Sequence, residues 1–102
     1  MPNYMTPAGV ANVLNISAAT VVKASAGYTT MVTVSGVGTA GALTLNDCTT
    51  TGAAAAANQV VSIPYGAFTG TASIILPLSF VFTTGITISA VPTGVTVAVS
   101  YA

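Results

Sequence analysis

From about residue 12 onward, apolar and polar residues alternate with a period of two, and successive side chains of an extended strand point to opposite faces. Met31-Val32-Thr33-Val34-Ser35 and Ile86-Thr87-Ile88-Ser89 show the pattern in short form. It runs longest near the end, where Val95, Val97, Val99 and Tyr101 share one face and Thr96, Ala98 and Ser100 the other. Val, Ile and Thr dominate these segments; their branched Cβ restricts rotamers in a helix and packs well on a pleated surface. The alternation predicts half-buried strands near residues 12–16, 19–25, 28–35, 41–46, 58–63, 72–76, 79–83, 86–90 and 95–101.

Turn signals separate these runs at Ala26-Gly27, Gly36 to Gly41, Asn46-Asp47, Pro64-Tyr65-Gly66, Thr69-Gly70, Thr84-Gly85 and Pro92-Thr93-Gly94. A spacing of roughly eight to twelve residues between such signals suits an antiparallel β-sandwich or a small β-barrel, jelly-roll-like in form. The expected organisation is an extended N-terminal arm over residues 1–11, where Pro2, Pro7 and Gly9 interrupt any alternation, and a single β domain over 12–102. Pro92-Thr93-Gly94 predicts a tight hairpin that would pair the last two strands antiparallel. Pro77 cannot donate to a ladder and predicts a break after Leu76. Ala53 to Ala57 is too short to nucleate a helix; it reads as a turn, a single helical turn, or a flat surface of small residues approached by a neighbouring subunit.

Charge changes the picture most. Of the 102 residues 2% are charged, against about a quarter in ordinary soluble domains, and 53% are hydrophobic. Lys23 and Asp47 are the only charged side chains, with no Glu, Arg or His. One Lys and one Asp leave almost no general acid–base pairs to build from, Ser–His–Asp and Cys–His arrangements cannot be assembled within one chain, and the expectation is that this is not an enzyme. A zinc site needs three or four Cys, His or carboxylate ligands, whereas Asp47 and Cys48 are all the chain supplies; no metal and no cofactor is expected. One basic residue cannot neutralise a run of phosphates, so nucleic acid is not an expected partner. Gly36, Gly38 and Gly41 lack the strand-then-helix context and the Lys of a phosphate-binding loop, and read as a turn.

No apolar run reaches the 18 or so residues of a membrane-spanning helix, and stretches such as Ile74 to Leu78 are broken by Pro, Ser, Thr and Gly. Alternation is shared with transmembrane β-barrels, but these strands are mostly shorter than a bilayer needs and the aromatics too sparse for two girdles. Met1 to Leu14 has neither a basic region nor a continuous apolar stretch, so the chain is expected to be made in the cytoplasm and not to enter a membrane. The single cysteine, Cys48, cannot form an intrachain disulfide and reads as a small half-buried hydrophobe beside a turn.

Three stretches together resemble small tailed-bacteriophage virion proteins of the capsid decoration (cement) or head-fibre kind. These are Gly27-Tyr28-Thr29-Thr30-Met31-Val32-Thr33-Val34, Gly38-Thr39-Ala40-Gly41-Ala42-Leu43-Thr44-Leu45-Asn46-Asp47-Cys48, and the ending from Gly85-Ile86-Thr87-Ile88 to Ser100-Tyr101-Ala102. The resemblance covers residue 20 or so to the end and does not extend to the N-terminal stretch. It implies a β domain on the outside of a phage capsid, a symmetric homo-oligomer with a trimer favoured, which stabilises contacts between major capsid proteins and takes no small-molecule substrate. The alternatives are a head-fibre, tail or other surface-fibre subunit, and a carbohydrate-binding module, for which the chain offers no Trp and few polar groups to grip a sugar.

Asp47 is expected to close a strand with an Asx-type turn, or to pair with Lys23, which otherwise points to solvent. Phe80 and Phe82, at i and i+2, are expected in the core. Tyr4, Tyr65 and Phe68 are the candidate interface residues, the last two because they fall in the turn-rich 64–70 segment where aromatics tend to meet a partner.

Overall fold

The computed structural model describes residues 11–68, 74–76 and 79–102. The expected arm lies outside these residues except for Ala11, which already pairs with Tyr101. The described strands are β1 (Ala11–Ile16), β2 (Thr20–Lys23), β3 (Gly27–Ala40), β4 (Ala42–Asp47), β5 (Gln59–Pro64), β6 (Ile74–Leu76), β7 (Val81–Phe82), β8 (Ile86–Ala90) and β9 (Thr93–Tyr101). All their pairings are antiparallel and form two sheets. The first runs β1-β9-β3-β6, with β7 paired to the start of β3; the second runs β2-β8-β4-β5. The sheets do not close into a barrel, which corrects that half of the expected fold class.

The expected hairpin between the last two strands is also corrected, since β8 pairs with β2 and β4 while β9 pairs with β1 and β3. The turn residues are used to change sheets. At Gly41, in left-handed conformation (φ 88°), the chain steps from β3 in the first sheet to β4 in the second. Between Ala90 and Thr93 it steps back, and the two crossings lie side by side where Ala40 pairs with Thr93. The glycine run expected as a turn is mostly strand: β3 continues to Ala40 past a register shift at Gly36. There Gly36 (φ 101°) and Gly94 (φ 87°) face each other so closely that a Cβ on either would lie 2.3 Å from a carbonyl oxygen of the opposite strand. Only glycine fits both the backbone angle and the gap.

Alternation decides what goes inside. Val32, Val34, Val95, Val97 and Val99 of the first sheet and Leu43, Leu45, Ile86 and Ile88 of the second belong to one buried apolar cluster. Each such side chain contributes about 1.5–3 kcal/mol relative to exposure, and Leu45→Ala would cost about 2–5 kcal/mol.

Among the described residues the edges at β1, β2 and β5 are blunted. β1 carries a register shift between Val13 and Ile16, with Asn15 at φ 58°. β2 is four residues long and ends in Lys23, and β6 is three residues long. β5 is protected by Pro64. Tyr65 N–H donates to Gly41 O at 2.9 Å, which makes Ala42 and Pro64 a pair not hydrogen-bonded to each other, so the proline nitrogen takes the place of an outward-facing donor.

Candidate functional site

Residues of the second sheet that alternate with Leu43 and Leu45 point away from the core, yet Asn46 is only 2% exposed and Thr87 is buried. The alanine segment makes the difference. It folds as two 3₁₀ turns, Thr51–Ala53 and Ala56–Asn58, the first capped by Thr50 Oγ1 accepting from Ala53 N–H. Asn46 Nδ2 donates to Ala55 O (3.0 Å) and to Asn58 Oδ1 (2.7 Å), while Asn46 Oδ1 accepts from Ser89 Oγ (2.6 Å). Asn58 completes the arrangement by accepting from Ala55 N–H and donating to Ala53 O. Between segment and sheet lies an open cleft of about 380 Å³ lined by Thr44, Gln59, Ser89 and alanines, with no titratable side chain in its wall.

Asp47 acts as a clamp. Its carboxylate accepts from Thr83 N–H (3.0 Å), Thr83 Oγ1 (2.9 Å), Thr84 N–H (2.8 Å) and Gly85 N–H (3.2 Å), holding the loop that leads into β8. Removal from water works to raise its pKa, and the bonds from Thr83, Thr84 and Gly85 outweigh that and hold it at about 2. The backbone groups bound belong to another loop and not to Asp47's own turn. None of these four bonds comes from Lys23, and Lys23 does not simply point to solvent: it is half-buried, folded over Gly27 with Nζ 3.1 Å from where a Cβ there would sit.

Among the described residues the outer face of the first sheet has no such cover. Register sets Ile75 opposite Thr33 and Thr33 opposite Ala98, and Leu14 lies beside Ala98 at the β1 bulge. This row reads large, small, small, large across four strands, with Leu14 65% and Ile75 61% exposed and Met31 exposed one step along β3. A shallow groove of about 170 Å³ follows Thr33, Ser35, Thr96 and Ala98 between the large residues. At the start of β3, Tyr28 pairs with Val81, which is 77% exposed.

Of the expected interface aromatics, Tyr4 lies outside the described residues and Tyr65 is exposed. Phe68 is corrected: it is 1% exposed and belongs to the core cluster. The 3₁₀ turn Tyr65–Ala67 reverses the chain so that Phe68 N–H donates to Tyr65 O and Phe68 O accepts from Gly38, which turns the ring inward. Phe82 is fully buried and Phe80 packs against the core. Cys48 is buried, its thiol donating to Thr50 O.

Among the described residues no group of three His, Cys, Asp or Glu side chains could hold a metal ion, and no helix is long and apolar enough to cross a membrane. Asn46, Asn58 and Ser89 escape a reading of the sequence because an Asn before an Asp signals a turn in either case. The uncovered row escapes it because register, not alternation, brings Leu14, Ala98, Thr33 and Ile75 together. No family model, curated protein or solved structure matches the chain.

Proposed function

We propose that the chain is a β-sandwich structural subunit, not an enzyme, that works by packing uncharged surface against copies of itself and against a larger shell, in the manner of a phage capsid decoration protein. One observation carries the assembly part of this reading: large apolar side chains stand exposed on a sheet face that has no charged residue, while the chain's only carboxylate side chain is occupied in holding a loop. Isolated exposed apolar residues are ordinary, but a set sharing one neutral face marks a contact surface. The capsid part rests on the sequence resemblance over the strands from β3 onward.

Electron cryomicroscopy of tailed-phage heads incubated with the purified protein tests it. The reading predicts regular density at fixed positions on the head exterior. Density on the tail or fibres would replace it with the fibre-subunit alternative, and an absence of density on any particle would sink the capsid assignment.

A further inference from the structure

We propose that the outer face of the first sheet is the surface on which a second copy of this chain docks, face to face about a twofold axis. This rests on the reading that the chain works by assembly, and it names the surface, the partner and the symmetry.

Among the described residues, the sheet edges and the outer face of the second sheet are poorer routes to self-association. Edge-to-edge pairing needs a run of free donors and acceptors, and the edges at β1, β2 and β5 are blunted by the β1 bulge, by Lys23 and by Pro64. The outer face of the second sheet is covered over Asn46 by the 51–58 segment. Of the two outer sheet faces, the one carrying Leu14, Met31 and Ile75 is bare among the described residues.

Charge selects the partner. The face has no ionisable group to pair with a charge brought against it, and an unpaired charge buried there is costly. About a quarter of the residues of an ordinary soluble domain are charged, whereas a second copy presents the same neutral face. Shape agrees with this choice. The row from Leu14 to Ile75 has knobs at both ends and small Ala98 and Thr33 between them. Two such faces with their strands crossed near a right angle, one of the two common ways sheets pack, let each copy's knobs straddle the trough of the other. A twofold axis in the plane of contact makes that arrangement reciprocal.

Four strands about 4.8 Å apart and six residues at about 3.4 Å give a face of roughly 20 by 20 Å. That is about 400 Å² of plane, half of what each partner contributes to a standard interface, so the dimer is weak and reversible.

Sedimentation equilibrium of the full chain from about 1 to 300 µM tests this. The expected result is a monomer–dimer equilibrium that Leu14→Glu and Ile75→Glu each weaken at least tenfold, because a twofold axis brings every substitution in twice. Both sites are largely exposed, so circular dichroism should show an unchanged fold. Gln59→Glu adds the same charge over the second sheet and should leave the equilibrium alone. A monomer throughout the range, a threefold assembly, dimers indifferent to both face variants, or an equal loss with Gln59→Glu would each overturn the proposal. A wild-type monomer that still decorates phage heads would overturn the docking face and keep the capsid reading; a dimer with the expected variant pattern that binds no particle would do the reverse.

Discussion

The outer faces of the two sheets are built from the same kind of alternating strand and end up in opposite conditions. On the second sheet, the chain folds its own alanine segment over Asn46, Thr87 donates to Cys48 O, and among the described residues no buried side-chain nitrogen or oxygen lacks a hydrogen-bond partner. On the first, the corresponding positions hold Leu14, Met31, Thr33, Ile75 and Ala98, and nothing in the described chain covers them. Polar groups that must be buried are satisfied internally, where their geometry is set by one chain. Apolar groups, whose attraction is non-directional, are left bare among the described residues.

This contrast breaks most directly at Asn46. Asn46→Ala removes three hydrogen bonds, leaving Asn58 Oδ1 and Ala55 O with only their bonds inside the 51–58 segment, and should lower unfolding stability by about 2–4 kcal/mol in urea titrations, with protease sensitivity appearing first at residues 51–58. An alanine at Thr33, at the centre of the bare face, should cost less than about 0.5 kcal/mol in the monomer. Equal losses at the two sites would remove the distinction.

The corner that separates the two sheets comes next. Gly94→Ala places a Cβ against Val37 O at a backbone angle that disfavours side chains, and should cost about 1–3 kcal/mol without changing hydrogen exchange in the second sheet selectively.

Asp47 sharpens the comparison through pH. Its carboxyl sits at about 2 in the fold against an ordinary 3.8, so as pH falls the unfolded chain takes up the proton first. The stability it contributes is present above about pH 4, is lost progressively as pH falls toward about 2, and does not change on the alkaline side. Asp47→Asn should cost about 1–2 kcal/mol at neutral pH and flatten that acid limb. An acid limb of undiminished depth in Asp47→Asn would show that the clamp is not its source.

The strand positions are legible in the sequence because the two-residue period and the β-branched composition act locally. β3, β4, β8 and β9 follow the alternation, whereas Pro77, where a break is expected, lies outside the described residues. Sheet membership is not legible, because a strand alternates identically in either sheet; the step between Ala90 and Thr93 and the close approach of Gly36 and Gly94 go with β9 joining β3 and not β8. Phe68 is misread for a related reason: turn residues around it announce a loop without saying which way the loop aims its ring. The candidate site is least legible of all, since its cover depends on an Asn–Asn–Ser contact and its bare row on register between distant strands.

The central claim is that the first sheet's outer face is buried by assembly and the second's is not. Hydroxyl-radical footprinting read by mass spectrometry, on the protein at assembling and at dilute concentrations, addresses it directly. Protection of Leu14, Met31 and Ile75 at high concentration, with Gln59 and Tyr65 labelled equally in both, is the result expected; equal labelling of Leu14, Met31 and Ile75 at the two concentrations would contradict it.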